Sequence, residues 1–501
     1  MTFSARNLGD LAPPGLDPAK PAFIFRGGGR RATISHGEFD AMADAAARGL
    51  RRRGFAPGER IGLLAANSIT YMALLCGAQR AGLVPVPVNW RFPAETIAYV
   101  LANAGASLVA HDAARTAQLP QGTLRLPLDG PEWDAFLDPG PFETLEPAAG
   151  QPGLFLYTSG STGRPKGVVL SHQSHLWIIG QRLQGAALRD EIFLIAAPLY
   201  HMNGLALAQL ALAAGATTVL LPQFREADYI EAIGAERCTW LTAVPPMFAM
   251  LLRETALLSR TDTSSVRSIR LGSAPVSEAL AAAILRAFPT ARLINAYGTT
   301  EAGPVVFGPH PEGKPTPRLS VGYPHPGVQL RLRSADGRLG DEGVLEQRTP
   351  GVMNGYHARP DLAPPITEDC FYVTGDVMRR DTDGFYFVVG RADDMFISGG
   401  ENIFPGQVEA VLERHPGVEQ AAVLPLPDEI KGTKPVAFVV PRAGWQSDEA
   451  ALKAFTLEHA PAYMHPRRIW FLPSLPLMGT NKVDKARLRE MAMEHGDPRN
   501  I

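Results

Sequence analysis

Residues 157–167 read Tyr-Thr-Ser-Gly-Ser-Thr-Gly-Arg-Pro-Lys-Gly, and seven of these eleven are glycine, serine or threonine. Short apolar runs precede this stretch at 153–156 and follow it at 168–170, which predicts a strand, a loop and a second strand. Glycine lets the backbone approach an oxyanion, while hydroxyl and N–H groups donate to it and Lys166 supplies positive charge. The Gly-Lys-Ser/Thr ending of a Walker A loop is absent, and no helical pattern follows directly. The stretch therefore predicts a phosphate-binding loop of another type rather than a plain Gly/Ser linker.

The bulk composition excludes several classes of protein. The 501 residues include 48 basic and 50 acidic side chains, so no strong field favours nucleic acid or a membrane surface. Cys76, Cys238 and Cys370 show no metal-binding spacing, which predicts three reduced structural thiols in a cytoplasmic protein. The start of the chain lacks a signal-peptide core, and no apolar run of about 18 residues predicts a membrane span.

The pattern of apolar residues predicts an α/β fold in two domains. From 33 to 110, and again from 192 to 295, helical and strand patterns alternate, which is typical of parallel sheets covered by helices. Short alternating runs at 327–390 predict an antiparallel β subdomain. We place a boundary so that 1–391 form a large N-terminal domain of mixed sheets and 392–501 a small, mobile α+β domain. Between the two alternating stretches, residues 112–150 are rich in Pro, Gly and Asp, which predicts a loose surface excursion.

Two short motifs follow predicted strands and carry groups that suit a nucleotide. In the segment 295–301, Tyr297 offers a flat face for a purine, Thr300 a hydroxyl for phosphate, and Glu301 an oxygen ligand for Mg²⁺. Taken alone, this segment is more typical of a helix cap. Asp376, in Tyr-Val-Thr-Gly-Asp, can accept hydrogen bonds from both ribose hydroxyls, although Gly-Asp is also an ordinary turn.

Three further segments each have an ordinary structural explanation and indicate a function only when they are considered together. Gly390-Arg391-Ala392-Asp393-Asp394, followed by a glycine pair, suits either a ligand contact or a charged linker. Lys482 lies in a glycine-containing loop near the C-terminus and, taken alone, is a solvated charge. His201, in Pro-Leu-Tyr-His-Met-Asn-Gly, is by itself more typical of a structural histidine.

In this order and spacing, the set resembles the adenylate-forming superfamily of acyl-CoA synthetases, adenylation domains and luciferases. The resemblance extends from about Thr33 to Arg489. It implies activation of a carboxylate by ATP to an acyl-adenylate with release of pyrophosphate, followed by transfer to a thiol such as coenzyme A. Small-molecule acid, ATP, Mg²⁺ and coenzyme A are then the expected ligands, and a homodimer is one expected assembly.

The resemblance also implies roles for individual residues. It implies that Lys166 and the phosphate-binding loop bind the phosphates, and that Tyr297 and the segment 272–274 bind adenine. Asp376 and Arg391 would bind the ribose, and Glu301 would bind Mg²⁺. Lys482 matches the catalytic lysine, Thr300 the α-phosphate contact, His201 a residue beside the acyl pocket, and Asp393 the hinge. The remaining assignments are Thr158, Ser159, Gly160, Ser161, Thr162 and Gly163 for phosphate, Gly272, Ser273 and Ala274 for adenine, and Gly399, Gly400, Tyr463 and Arg91 for coenzyme A.

Several readings stay open at this stage. Asn481 stands where the common pattern has glycine, as in some aryl-CoA ligases, and Lys431 stands where some relatives have tryptophan. A carrier-protein thiol is an alternative acceptor, and a non-catalytic nucleotide-binding protein is the alternative of another class. The residues expected around the acyl pocket, at 201–204, 242–247, 272–275 and 303–306, are mostly small or apolar, which favours an aromatic or medium-chain acid. A dicarboxylate would need a buried basic residue, for which Arg318 is the candidate.

Overall fold

The structure is a computed structural model that describes residues 3–158, 164–184, 186–274, 276–304, 306–398, 401–428, 431–446, 448–478 and 482–494. Its helices in chain order are α1 His36–Arg52, α2 Ile69–Arg80, α3 Ala94–Ala104, α4 Gly130–Phe136, α5 His172–Leu183, α6 Met202–Ala214, α7 Glu226–Ala235, α8 Pro245–Arg253, α9 Thr255–Arg260, α10 Glu278–Ala287, α11 Pro405–Glu413, α12 Glu449–His459 and α13 Lys485–Glu494.

The strands mostly alternate with these helices over the first three hundred residues, follow one another directly from β14 to β23, and are again separated by helices in the C-terminal part. In chain order they are β1 Pro21–Gly27, β2 Arg30–Ser35, β3 Arg60–Leu64, β4 Val84–Pro87, β5 Ala106–His111, β6 Arg125–Pro127, β7 Pro152–Thr158, β8 Lys166–Ser171, β9 Ile192–Ile195, β10 Thr217–Leu220, β11 Trp240–Ala243, β12 Ser268–Gly272, β13 Arg292–Ala296, β14 Phe307–Gly308, β15 Tyr323–Pro324, β16 Gln329–Arg333, β17 Leu339–Gly340, β18 Glu342–Arg348, β19 Gly355–Tyr356, β20 Tyr372–Arg380, β21 Tyr386–Arg391, β22 Phe396–Ser398, β23 Glu401–Ile403, β24 Val418–Asp428, β25 Gly432–Pro441 and β26 Ile469–Phe471.

Two mainly parallel sheets form the body of the N-terminal domain. One has the strand order β13-β12-β11-β9-β10-β1-β2, in which only the β1–β2 pair is antiparallel, and the other has the order β4-β3-β5-β6. Their central strands are short and mainly apolar because helices cover both faces. One large core lies between the sheets and includes the buried rings of Phe23 and Phe193, while a second core on the far face of the larger sheet contains Phe248 and Phe288.

Antiparallel strands complete the N-terminal domain. β7 and β8 pair on either side of the serine- and glycine-rich loop, with β19 added beside β8. The strands β17-β16-β18-β20-β21 form a separate antiparallel sheet, as the alternating pattern of 327–390 predicted. This sheet brings Asp376 on β20 opposite Arg391 on β21.

The C-terminal domain is a small α+β unit. β24 and β25 pair antiparallel, β26 joins β25 in parallel, and α11 and α12 cover one face. Of the three residues that the sequence predicts on one apolar face of α11, Val408 and Leu412 are fully buried and Val411 is partly buried. The predicted fold class is thus confirmed, while the boundary between 391 and 392 and the mobility of this domain stay predictions.

The prediction for residues 112–150 was wrong. This segment contains α4, and its Trp133 and Phe136 are almost completely buried in the main core. The Arg53 guanidinium lies 4.4 Å from the centre of the Phe136 ring and donates to the Phe136 carbonyl oxygen. Two aromatic anchors therefore fix a segment whose composition is typical of a loop.

The cysteines and helices agree with the sequence expectations as far as they are described. Cys76 and Cys238 are buried free thiols, and Cys370 is an exposed free thiol. Within the described ranges, every helix is too short or too polar to cross a membrane.

Candidate active site

The predicted nucleotide residues gather where strands end. β12 ends at Gly272 and β13 at Ala296, so Ser273 and Tyr297 follow the carboxyl ends of neighbouring parallel strands. Open α/β sheets bind ligands at this edge. Ser273 has a φ of 68°, a left-handed conformation that is costly for a residue with a side chain and concentrated at functional sites.

A tight turn carries Thr300 and Glu301. A Cβ on Gly298 would lie 2.4 Å from the Cα of Pro304, so only glycine allows the two passes of the chain to come this close. The Thr299 hydroxyl accepts a hydrogen bond from the Ala302 N–H at 3.1 Å, and the Thr299 N–H donates to the Gly303 carbonyl at 3.3 Å. The segment is therefore a turn and not a helix cap.

Tyr297, Asp376 and Arg391 form one hydrogen-bonded group. The Tyr297 hydroxyl donates to Oδ2 of Asp376 at 2.5 Å, and Nη1 of Arg391 donates to Oδ1 at 3.1 Å. Burial raises the pKa of Asp376, against the opposing effects of Tyr297 and Arg391. Gly375, at a φ of 75°, leaves room for the Arg391 guanidinium to lie against the backbone before Asp376.

Glu301 lies in a second group. The Tyr356 hydroxyl donates to Oε1 of Glu301 at 3.3 Å, and Nζ of Lys166 lies 5.4 Å from the centre of the Tyr356 ring. Burial raises the pKa of Glu301, with Tyr356 and Lys166 opposing. A recessed carboxylate with a neighbouring cation is suited to a phosphate group and its metal ion.

Lys482 reaches this site from the C-terminal domain. Its backbone carbonyl accepts from the Met478 N–H at 2.7 Å, which closes the loop that holds it. Burial lowers the pKa of Lys482, while Asp376 raises it and Arg391 lowers it further. The ammonium therefore lies within electrostatic range of both nucleotide-site groups.

His201 is the N-cap residue of α6. Burial lowers the pKa of His201 to about 3, and the charges of Lys482 and Arg91 add to this effect. Its Nε2 is buried without a hydrogen-bond partner among the described residues. The imidazole is thus neutral at physiological pH, and it lies within electrostatic range of Lys482 and Arg91.

The other predicted residues divide into placed and undescribed positions. Thr158 ends β7, and Lys166 begins β8 directly opposite it. Asp393 accepts from Nε of Arg391 at 3.0 Å in the turn that leads into the C-terminal domain. Seven predicted residues lie outside the described ones: Ser159, Gly160, Ser161, Thr162, Gly163, Gly399 and Gly400.

The predicted coenzyme A residues are less clearly grouped. Arg91 stacks on Trp90, with its guanidinium 5.1 Å from the ring centre, and its charge acts on His201. Tyr463 packs against the apolar core of the C-terminal domain and is not part of the group around Asp376. Arg318 is wrong as a buried cation, because its side chain is 53% exposed and pairs with Glu278.

Sequence reasoning missed Tyr356, which holds Glu301. Two of the stretches that it did assign to the acyl pocket, 201–204 and 242–247, contact each other, because the Thr242 hydroxyl donates to Oδ1 of Asn203 at 3.3 Å. Two arginines, Arg182 and Arg270, lie near each other at the same side of the larger sheet. Arg270 alone gave a usable signal, because it interrupts the apolar strand Ser-Ile-Arg-Leu-Gly.

Family models match most of the chain. The model described as AMP-binding enzyme matches residues 15–357, and the model described as AMP-binding enzyme C-terminal domain matches 407–482, ending at the predicted catalytic lysine. The two matches thus fall on the large and small domains, respectively.

Individual proteins are similar over nearly the full length. Feruloyl-CoA synthase from Amycolatopsis sp is 34% identical over 464 residues, covering 91% of this chain and 93% of that protein. The fatty acid–[acyl-carrier-protein] ligase ScoC from Streptomyces coeruleorubidus is 31% identical, covering 95% and 94%. ATP-bound MatB from Rhodopseudomonas palustris superposes with a TM-score of 0.86 at 28% identity, covering 95% and 96%.

Lys166 and Tyr297 lie within the first match and Lys482 is the last residue of the second, while Asp376 and Arg391 lie between the two matches. The curated relatives named here are enzymes that join acids to thiols. The chain therefore belongs to the AMP-binding enzymes of the adenylate-forming superfamily.

Proposed function

We propose that the protein is an ATP-dependent carboxylate–CoA ligase. The observation that carries this proposal is the position of Lys482, whose charge acts on Asp376 and Arg391 on one side and on His201 on the other. A cation that spans the nucleotide and acyl sides is placed to hold two anions together. Such an arrangement suits the attack of a carboxylate on a phosphate.

The nucleotide half of the site explains how ATP is held. Tyr297 offers its ring to adenine, and the paired Asp376 and Arg391 suit the ribose hydroxyls. Thr158, Lys166 and the loop between them suit the β- and γ-phosphates, and Thr300 the α-phosphate. Since Tyr297, Asp376 and Arg391 are held by hydrogen bonds to one another before ATP binds, little reorganisation of these three residues opposes the reaction.

In the first half-reaction a carboxylate oxygen of the acid attacks the α-phosphorus of ATP, and pyrophosphate leaves. Both reactants are anions, so their mutual repulsion is the main obstacle. The recessed Lys482 ammonium offsets it more strongly than the same charge would in water, because the local dielectric constant is lower. The acyl-adenylate has lost the carboxylate charge and gained AMP as a leaving group.

Glu301 is the residue that would hold Mg²⁺. Its recessed carboxylate has Tyr356 as a hydrogen-bonding neighbour and supplies the hard oxygen ligand that this ion prefers. Among the described residues no cluster of three or more metal-ligating side chains occurs, which suits an ion held mainly by phosphate oxygens. The bound ion would neutralise phosphate charge.

In the second half-reaction the thiol of coenzyme A attacks the acyl carbon and AMP leaves. Lys482 is not needed for this step, so a rotation at Asp393 would withdraw it and admit the thiol. The neutral His201 and the predicted residues Arg91, Tyr463, Gly399 and Gly400 are then the proposed contacts of coenzyme A or its acyl end. The cytoplasmic location and the homodimer also stay predictions.

The acceptor has one competing candidate, a carrier-protein thiol, which the similarity to ScoC favours. Pyrophosphate release with ATP and Mg²⁺ across benzoates, cinnamates, C4–C12 fatty acids and dicarboxylates, with and without coenzyme A, separates the two. Strong stimulation by coenzyme A for one acid class supports the proposal and names the aromatic or medium-chain substrate. Release that coenzyme A does not stimulate supports carrier-protein loading, and the absence of release with every acid contradicts the ligase.

A further inference from the structure

Two arginines, Arg182 and Arg270, lie within electrostatic range of each other beside the larger sheet. Arg270 lies on β12 between Ile269 and Leu271, which are both fully buried in the core on one face of the sheet. Because side chains alternate along a strand, Arg270 projects to the opposite face. Its register partner Thr242 projects to that face as well, and there the Thr242 hydroxyl donates to Asn203 at the start of α6.

Arg182 reaches the same region from α5. The Cδ1 atom of Ile178, one helical turn earlier, packs onto Gly303 in the turn that carries Glu301. Residues four apart share a helix face, so Arg182 lies on the side of α5 that faces this turn. The Arg270 charge is close enough to lower the pKa of Arg182, together with the larger effect of burial. Burial also lowers the pKa of Arg270 to about 10.

Neither guanidinium is neutralised within the described part of the chain. The guanidinium groups of Arg182 and Arg270 make no hydrogen bond or ion pair with another described residue, although both side chains are half-buried. Other recessed arginines of the chain are paired, as Arg80 is with Asp40 and Asp44. Two like charges that share a recess without a counter-ion destabilise the folded protein, since buried charges are normally paired.

The side-chain amide of Asn203, beside these arginines, also has a donor without a partner. Nδ2 of Asn203 is buried without a hydrogen-bond partner in the described structure, while its Oδ1 is occupied by Thr242. Asn203 follows His201 by two residues, so this donor lies between the arginines and the reacting end of the pocket. The acyl side thus offers hydrogen-bond donors and positive charge but no described acidic partner for either arginine.

We propose that the acid activated by this enzyme carries a second anionic group, a carboxylate or a sulfonate, which Arg182 and Arg270 bind at the end of the pocket remote from Lys482. This inference rests on the proposed function and specifies its substrate class. Gly272, at the nucleotide side, is two strand residues from Arg270, or about 7 Å along the strand. The second group is therefore separated from the reacting carboxylate by a chain of several carbons or by a ring.

The test compares acids that differ only in the second charge. Pyrophosphate release is measured with hexanoate and adipate, octanoate and suberate, and 4-methylbenzoate, terephthalate and 4-sulfobenzoate. We expect kcat/KM for the doubly charged member of at least one set to exceed that of its neutral partner about ten- to hundredfold. The dicarboxylate and sulfonate arms distinguish the two anionic groups.

Substitutions of the two arginines then test whether they cause the preference for doubly charged acids. Arg270→Gln and Arg182→Gln should each raise KM for the doubly charged acid about tenfold or more and leave KM for the singly charged acid unchanged or lower. Arg318→Gln, an exposed arginine paired with Glu278, is the matched control and should change neither.

The outcomes separate this inference from the proposed function. Preference for the singly charged acids, with no loss on either substitution, overturns the second anionic group and leaves the ligase intact. The absence of pyrophosphate release with both classes overturns both proposals. Equal losses for both acid classes in Arg270→Gln and Arg182→Gln indicate a structural role and also overturn the inference.

Discussion

The two ends of the pocket differ in how their charges are paired. At the nucleotide end, Arg391 contacts Asp376 and Asp393, and Asp376 also accepts from Tyr297. At the acyl end, Arg182 and Arg270 have no acidic partner among the described residues. A group that must keep its geometry in every state is paired within the chain, whereas a group that binds a charged ligand is left open to it. Lys482 lies between these two arrangements.

The largest effect should follow from removing Lys482. We expect Lys482→Ala to lower the rate of pyrophosphate release about a hundred- to thousandfold, because no other cation bridges the carboxylate and the α-phosphate. Thioester formation from a synthetic acyl-adenylate should be retained. Lys314→Ala, which removes an exposed lysine paired with Asp383, is the control for general charge loss. Loss of both half-reactions in Lys482→Ala would contradict the assignment of this lysine to the first step alone.

Fixing the backbone at the proposed hinge residue Asp393 should have the opposite effect to Lys482→Ala, because it should impair the second half-reaction and spare the first. Proline locks φ, so Asp393→Pro should permit pyrophosphate release and lower thioester formation about tenfold or more. Asp393→Ala removes the same carboxylate and leaves φ free, so it should keep both activities. Normal turnover of coenzyme A in the proline variant would reject the hinge at this residue.

The pH above which pyrophosphate release slows should be set by the pKa of Lys482. Burial lowers its pKa below the ordinary 10.5, and the ammonium is the form that binds the two anions. The rate of pyrophosphate release should therefore be maintained near neutral pH and fall as the pH rises through the lowered pKa.

Lys482→Arg sharpens this prediction, because a guanidinium stays charged and should move the alkaline limb upward or remove it. The measurement is the pH dependence of pyrophosphate release from about pH 6 to about pH 10 for both proteins. An identical limb in the two proteins would show that another group titrates.

The smallest effects concern stability and contrast the two ends directly. Arg391→Gln leaves the buried Asp376 without its cation, so it should lower the free energy of unfolding by about 1–2 kcal/mol. Arg270→Gln removes an unpaired charge, so it should leave that free energy unchanged or raise it. Denaturant unfolding of both variants measures the difference. A lower stability for Arg270→Gln would show that this arginine has a structural partner.

The sequence predicted the paired end of the pocket better than the open end. Tyr297, Asp376 and Arg391 lie at strand ends within short motifs, and their neighbours in space follow from the sheet. Arg182 and Arg270 are 88 positions apart in elements whose helical or strand pattern predicts only packing. Their proximity depends on which face of β12 receives α5, and no local pattern contains that information.

The difference between a local sequence pattern and the environment in space also explains why the prediction for residues 112–150 was wrong. The composition of 112–150 is that of a loop, yet Trp133 and Phe136 anchor α4 in the core. A pair of aromatic side chains three positions apart is a weak signal beside many Pro and Gly residues. The aromatic pair is buried because α1 leaves a groove for it, in which Gly49 lies against the Phe136 carbonyl.

The account depends most on two successive steps at one site, and a single-turnover chase tests this directly. Enzyme is mixed with ATP, Mg²⁺ and an accepted acid without coenzyme A, and the bound acyl-adenylate is measured by mass spectrometry before and after coenzyme A is added. The account predicts that the acyl-adenylate accumulates and is then converted to acyl-CoA and AMP. An acyl-adenylate that persists in the presence of coenzyme A, or one that never forms, would contradict it.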